Sequence, residues 1–228
     1  MLASIPGLVH GFEQRQGHAG RETRGASRRR VTVALADTGR LLLMKQVHGA
    51  TVRHAPWDGA RPEGDAAVTT RYGVLLGIET ADCLPVLLVD PWRVTVAAAH
   101  AGWRGTVAGV ARAVVEVLTA AGSRADDILA VLGPSIGPCC YEVGDELRPA
   151  FAAAFGDDAD GFFHRGPRGR AHLDLRAANV CQLERAGLPS ENIHHVADCT
   201  HCRPDLYHSY RRDGPGSGRM LSFVGWRR

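Results

Sequence analysis

The chain has 228 residues, 45% of them apolar and 22% charged, with a formal net charge of +3. That length can bury a full hydrophobic core in one domain spanning residues 1–228, and the composition excludes global disorder. The charge is too small to call for a nucleic-acid partner, and no apolar run reaches the roughly 18–20 residues that cross a bilayer.

The first residues, MLASIPGLVHGFEQRQG, lack the basic and apolar regions of a signal peptide, so a cytoplasmic protein is expected, and with no strong exposed apolar helix to imply a partner a monomer is the default. Residues 13–30 are polar and Gly-rich and read as an exposed loop, with Arg28-Arg29-Arg30 solvated. The runs VTVALA, LLLMKQVHG and ATVRHA that follow read as strands, ahead of a Pro- and Gly-rich turn region at 56–64. YGVLLGIET, PVLLVD and RVTVAAAH are nearly continuously apolar, which predicts strands buried on both faces. The Asp90-Pro91-Trp92 turn predicts an antiparallel connection between the last two. Helical spacing of Val107, Val110, Ala111, Val114, Val117, Leu118 and Ala121 predicts a helix with Thr106 as N-cap, ended by Gly122. A strand (DDILAVLGPSI), two helices (GDELRPAFAAAFG and DLRAANVCQLERAGL), a strand (NIHHVADC) and a last strand (MLSFVGW) complete the pattern. Strands and helices interleave irregularly, which predicts a layered α/β or α+β domain with a mixed sheet.

Reactive side chains stand where this regular structure ends. His48 closes KQVHG, Cys83 sits in TADCLP, and His100 ends a buried strand ahead of the Gly-rich turn in AAAHAGWRGT. Two imidazoles and a thiolate suit zinc and leave a fourth position open, although a core cysteine with two hydrogen-bonded histidines would read the same way. Asp82 and Arg104 are costly to bury unpaired and are easier to explain lining a polar pocket. In GWRGTVAG, Arg104 lies at a helix start suited to an anionic group such as phosphate. Tyr210 and Arg211, in SYRRDGPGSGR, suit a base or sugar; a polar hairpin loop is the competing reading. Of six cysteines, Cys199 and Cys202 have the spacing of half a metal site with no second half in view. Cys139 and Cys140 are adjacent, an arrangement that rarely chelates one ion, and both are left out of the metal site. Gly137 and Pro138 suggest a turn that positions Tyr141 and Glu142.

KQVHG, GDAAVTT, TADCLPVLL, AAAHAGWRGT, GPSIGPCCYEVG, LDLRAANVCQL and SYRRDG occur together and in order. The chain thereby resembles a family of purine nucleoside phosphorylases formerly labelled multicopper polyphenol oxidases or laccase-like, with bacterial members linked to peptidoglycan editing. The resemblance implies an α/β/β/α sandwich similar to toxin-type cysteine hydrolases. It also implies one zinc held by His48, Cys83 and His100. The activities implied are phosphorolysis of adenosine, inosine and 5′-methylthioadenosine, and deamination of adenosine. Arg104 and Arg211 become candidates for contact with substrate or phosphate, and Asp82 and Glu142 for carrying protons. One departure is Leu206-Tyr207-His208, where the family more often has a second aromatic.

Three rivals stand beside this reading. A cysteine hydrolase or amidase acting on peptidoglycan would use Cys83 as nucleophile and His100 as base. A copper oxidase of the laccase type would need several histidine-rich centres from only 11 histidines. A zinc-stabilised interaction module would unfold on chelation.

Overall fold

Residues 2–15 and 25–228 are described by a computed structural model. In chain order the first elements are β1 (Leu8–Phe12), α1 (Ala26–Ala34), β2 (Arg40–Leu43), β3 (Val52–His54) and β4 (Ala66–Thr69). The apolar centre follows as β5 (Val74–Thr80), β6 (Leu84–Asp90) and β7 (Thr95–Ala101). Next come α2 (Trp103–Val107), α3 (Val110–Ala120), β8 (Leu129–Leu132), β9 (Glu142–Val143) and α4 (Leu147–Phe155). The chain ends with β10 (Phe163–Arg165), β11 (Ala171–Leu173), α5 (Leu175–Arg185), β12 (Ile193–His195), α6 (Tyr210–Asp213) and β13 (Met220–Trp226).

The uninterrupted apolar run of β6 has a direct structural meaning, because every residue of the strand is buried. Alternation sends Leu84, Val86 and Leu88 to one face and Leu87 and Val89 to the other. The first set packs under α3 and Leu183 of α5. The second packs against Leu42, Leu76, Ile78 and Val224 of a second sheet. Strand order is β12-β8-β6-β7-β4-β3 in the larger sheet and β1-β13-β5-β2 in the smaller. Both are mixed: β12 with β8, β3 with β4 and β2 with β5 run parallel, and the other pairs run antiparallel. On the outer face of the smaller sheet, Val31 and Leu35 at α1 meet Leu43, Leu221 and Phe223. The layers are therefore helix, sheet, sheet, helix, as the resemblance implied. A side lobe of α4, α5 and the short sheet β10-β11-β9 packs around Phe151, Phe155 and Phe162. No helix among the described residues is long and apolar enough to cross a membrane.

The antiparallel β6–β7 hairpin forms as the Asp90 turn predicted, with Leu84 opposite Ala101 and Asp90 opposite Thr95. Asp90 Oδ1 accepts from the backbone N–H groups of Trp92 and Arg93 and so shapes the turn. Three expectations are corrected. VTVALA is not a strand: its first four residues close α1, where Val31 is buried. Residues 26–30 are helical too, so the loop does not hold there; of the arginine run Arg29 is exposed as expected, whereas Arg30 pairs with the nearly buried Glu13 carboxylate at 2.7 Å. The remainder of that loop, 16–24, lies outside the described residues. The third correction is at Thr106, which lies inside α2 rather than capping the longer helix. Gly109, at a left-handed φ of 82°, breaks the pattern into α2 and α3. The break is held by α5, since Thr106 Oγ1 accepts from Asn179 Nδ2 at 2.9 Å and Thr106 O accepts from Gln182 Nε2.

Because Gly109 adopts a conformation that costs an L side chain about 1–2 kcal/mol, Gly109→Ala is expected to lower stability by that amount while retaining the fold. A shift of the urea midpoint at unchanged m-value checks it.

Candidate active site and metal centre

Two strand ends and one turn converge on a single spot; β2 stops at Leu43, so LLLMKQVHG is not a strand as far as His48. His48 lies in the segment between β2 and β3, in a left-handed conformation with φ 63°. That segment is pinned by Gln46, whose Nε2 donates to Glu79 O and whose Oε1 accepts from Glu79 N, both at 2.9 Å. Cys83 immediately precedes β6, and His100 lies opposite Pro85 in the β6–β7 register, so hairpin pairing brings the two together. The ligand atoms of His48, Cys83 and His100 all lie within 4.8 Å of one another. The two imidazole rings meet edge to face, with centroids 4.8 Å apart. Gly102 leaves this space open, because a Cβ there would stand 3.0 Å from Cys83 Sγ and 3.2 Å from the His48 ring.

Asp65 organises the cluster from below. It is fully buried, just ahead of β4, and its Oδ1 lies 2.8 Å from His100 Nδ1. The same carboxylate accepts backbone N–H groups from Val47, His48 and Gly49 at 3.2, 2.9 and 2.7 Å. Burial pushes its pKa up, but the bonds from His100, Gly49 and His48 outweigh that and hold it below the usual carboxylate range. With Nδ1 facing Asp65, Nε2 is the His100 nitrogen left for a ligand, the arrangement by which carboxylates orient metal-binding imidazoles.

Electrostatics in the cluster favour a thiolate. Burial pushes Cys83 up, yet the hydrogen bonds and charges of His100 and His48 bring it down to about 6. Burial pushes His100 down, whereas Asp65 and Cys83 raise it to about 9. Two imidazoles and a thiolate facing one point are a donor set that zinc accepts with a fourth position open.

The cluster lies in a cavity of about 740 Å³, which also exposes Asp82, Trp103, Arg104, Tyr141, Tyr210 and Arg211. Arg28 of α1, Arg61 and Arg219 add further positive charge to its walls. Arg104 stacks on Trp103 at 4.4 Å and Arg211 on Tyr141 at 5.3 Å. Asp82 has φ 89° and little exposure. Its oxygens accept from Thr200 Oγ1 at 2.6 Å, Ser209 Oγ at 3.1 Å and Arg211 N at 2.7 Å. SYRRDG is therefore no open hairpin loop: Ser209 caps α6, and that short helix is docked on Asp82.

Among the residues singled out from sequence, His48, Cys83, His100, Asp82, Arg104, Tyr210 and Arg211 share this cavity. Glu142 does not line it; its carboxylate lies 3.9 Å from Arg170, while its carbonyl accepts from Arg211 Nη1 at 2.8 Å. Sequence reasoning missed Asp65 and Gln46. The one local signal for Asp65 is an acid directly before the wholly buried strand β4. It also separated the cysteines that the fold joins, for Cys139, Cys140, Cys199 and Cys202 form a second cluster within 4.8 Å.

In metal-free protein the thiolate of Cys83 is the form present above its pKa. Alkylation by iodoacetamide is therefore expected to stay fast at pH 7 and to fall as the pH drops through about 6. Asp65→Asn removes the charge that sustains the His100 cation, which raises the Cys83 pKa and slows alkylation at pH 7. Peptide mass spectrometry across pH, after chelation, reads both effects.

Comparison with known proteins places the chain. The family described as multi-copper polyphenol oxidoreductase laccase matches residues 18–227. Purine nucleoside phosphorylase YlmD of Geobacillus stearothermophilus is 37% identical over 213 residues, covering 88% of this chain and 78% of that protein. A crystal structure of YlmD from that species aligns with a TM-score of 0.86 at 32% identity, covering 98% of this chain and 93% of the other. Adenosine deaminase RL5, from an unknown prokaryotic organism, is 44% identical over 160 residues; the match takes in 70% of this chain but 61% of that protein. The chain belongs to the family described as multi-copper polyphenol oxidoreductase laccase, and it shares the fold of YlmD over nearly its whole length.

Proposed function

We propose that this chain is a zinc-dependent purine nucleoside enzyme that cleaves adenosine, inosine and 5′-methylthioadenosine by phosphorolysis and deaminates adenosine. The observation that carries the proposal is the convergence of His48, Cys83 and His100 within 4.8 Å inside an arginine-lined cavity. The relatives named purine nucleoside phosphorylase and adenosine deaminase support the substrate class. A zinc ion held by these three residues would supply Lewis acidity able to activate water near neutral pH.

The remaining work falls to the protein. Arg104 and Arg211 are the residues proposed to hold phosphate, and stacking on Trp103 and Tyr141 orients them before substrate arrives. Burial, then the negative charge at Cys83, pushes the Tyr141 pKa up, so its phenol stays protonated and able to donate a hydrogen bond to a departing purine. Tyr210, about half exposed, supplies a ring at the cavity for the base. Asp82 is already engaged by three donors, so its proposed part is to position Arg211. Glu142 assists through its carbonyl.

A second reading has its own observation. Cys83, His100 and Asp65 form a nucleophile, base and orienting acid in sequence, as a cysteine hydrolase acting on cell-wall peptides would require. His48 weighs against it, since a second imidazole bonded to the same thiolate has no part in that chemistry and completes a metal set.

The test is chromatographic product analysis on metal-quantified protein given adenosine with and without phosphate. Adenine and ribose 1-phosphate are expected with phosphate, and inosine without it. Cys83→Ala is expected to lose both activities together with the zinc held at this centre. Arg104→Met is expected to keep the zinc and lose roughly 100-fold in phosphorolysis, as one charged donor to a reacting group commonly contributes. Full activity in Cys83→Ala, or copper in place of zinc in the active protein, would defeat the proposal. A covalent adduct at Cys83 with an electrophilic peptide, formed without zinc dependence, would favour the hydrolase.

A further inference from the structure

Outside the cavity the fold assembles a cluster that the proposed reaction does not use. Cys139 and Cys140 lie in the turn after β8, and Cys199 and Cys202 in the segment after β12. The backbone joins the two segments: Ser135 and Cys199 form an isolated parallel bridge, and Thr200 N donates to Ser135 O at 3.0 Å. The four sulfurs lie within 4.8 Å of one another, with Cys139 to Cys202 at 3.7 Å and Cys140 to Cys202 at 3.3 Å. Four thiolates around one zinc, at about 2.3 Å each, stand about 3.8 Å apart along a tetrahedral edge. A disulfide would need about 2.05 Å. The two shortest separations are too long for a disulfide and near that edge, so one ion could take all four sulfurs with a small adjustment.

Backbone donors converge on one of the four sulfurs, whereas burial and the neighbouring sulfurs push the thiols of Cys139 and Cys140 up while no cation shares them. Cys199 Sγ accepts the Gly137 N–H at 3.2 Å and also the backbone N–H groups of His201 and Cys202. Backbone donors turned on one sulfur stabilise its ionised form, as outer-shell groups do around a metal. The turn that carries Cys139 and Cys140 is itself fixed, because Pro138 O lies 2.6 Å from His172 Nδ1. Cys140 and Cys199 are partly buried and Cys139 and Cys202 exposed, so the cluster sits at the surface where an ion can enter.

We infer that Cys139, Cys140, Cys199 and Cys202 form a second, structural zinc site that clamps the turn after β8 to the segment after β12. Four protein ligands close the coordination shell, so the site offers no open position for substrate. Its effect reaches the cavity through the chain. One clamped segment runs into Tyr141 in the cavity wall, and the other carries Thr200, Ser209 and Arg211, which hold Asp82.

The experiment is zinc stoichiometry by mass spectrometry on protein purified anaerobically with reductant and freed of loose metal. Wild type is expected to hold about two zinc ions per chain, and Cys83→Ala and Cys202→Ser about one each. Cys139→Ser, at an exposed position, gives the same reading should Cys202→Ser fail to fold. Cobalt(II) substitution is expected to give intense sulfur-to-cobalt charge-transfer bands that persist in Cys83→Ala and weaken in Cys139→Ser. Zinc content unchanged by Cys139→Ser and Cys202→Ser would overturn the inference. So would a Cys140–Cys202 disulfide, mapped in the reduced preparation. Zinc lost only in the cysteine-cluster variants would uphold this site while removing the one proposed at Cys83, so the two fail separately.

Discussion

Asp65 is a carboxylate with no contact with water, and desolvating such a charge costs several kcal/mol unless hydrogen bonds replace the lost hydration. Here the replacement comes from separate parts of the chain: three consecutive backbone N–H groups at Val47, His48 and Gly49, and the His100 ring. The same four bonds fix the geometry of the candidate centre. They hold the turn in which His48 takes its left-handed conformation, and they select the nitrogen that His100 presents. Without this carboxylate, β4 would still pair with β7, yet nothing in that pairing would aim either imidazole. His100 N also donates to Asp65 O at 2.7 Å, so the backbone repeats the connection.

Asp82, next to Cys83 in the chain and lining the cavity, plays a comparable part. It too precedes a buried strand, has a positive φ, and gathers donors from a distant segment, here Thr200, Ser209 and Arg211. Two acids at strand starts thus anchor two irregular segments onto a rigid pair of sheets. The strands themselves carry little chemistry, being closely packed and apolar. Loops seated on such a base can present reactive groups without surrendering the core.

The centre has a defined electrostatic character even without an ion. The two imidazoles facing Cys83 pull its pKa down to about 6, and Asp65 and Cys83 raise that of His100 to about 9, so both shifts favour the ion pair. A cation at the site would take the place of these protons, so the groups that stabilise the ion pair are the ones that would bind metal. Around it the arginines face an interior with few acids, which suits an anionic co-substrate.

The sequence by itself determined the central strands, the β6–β7 hairpin and the helices α3, α4 and α5, because hydrophobic alternation and turn residues are local signals; it singled out His48, Cys83 and His100, which only the family resemblance made a candidate ligand set. It misread α1, where Val31 and Val33 have strand-like propensity but docking of Val31 on Leu43 and Leu221 and the Arg30–Glu13 pair favour a helix. It also ran one helix through Gly109, since periodicity does not register a bend that Asn179 and Gln182 stabilise from α5. Only the tertiary structure decided that Asp65 orients His100, that Asp82 is bound by the SYRRDG segment, and that Cys139 meets Cys202, 63 residues away. Each of these contacts joins segments far apart in the chain, and no spacing within either segment encodes the register of sheets and loops that brings them together.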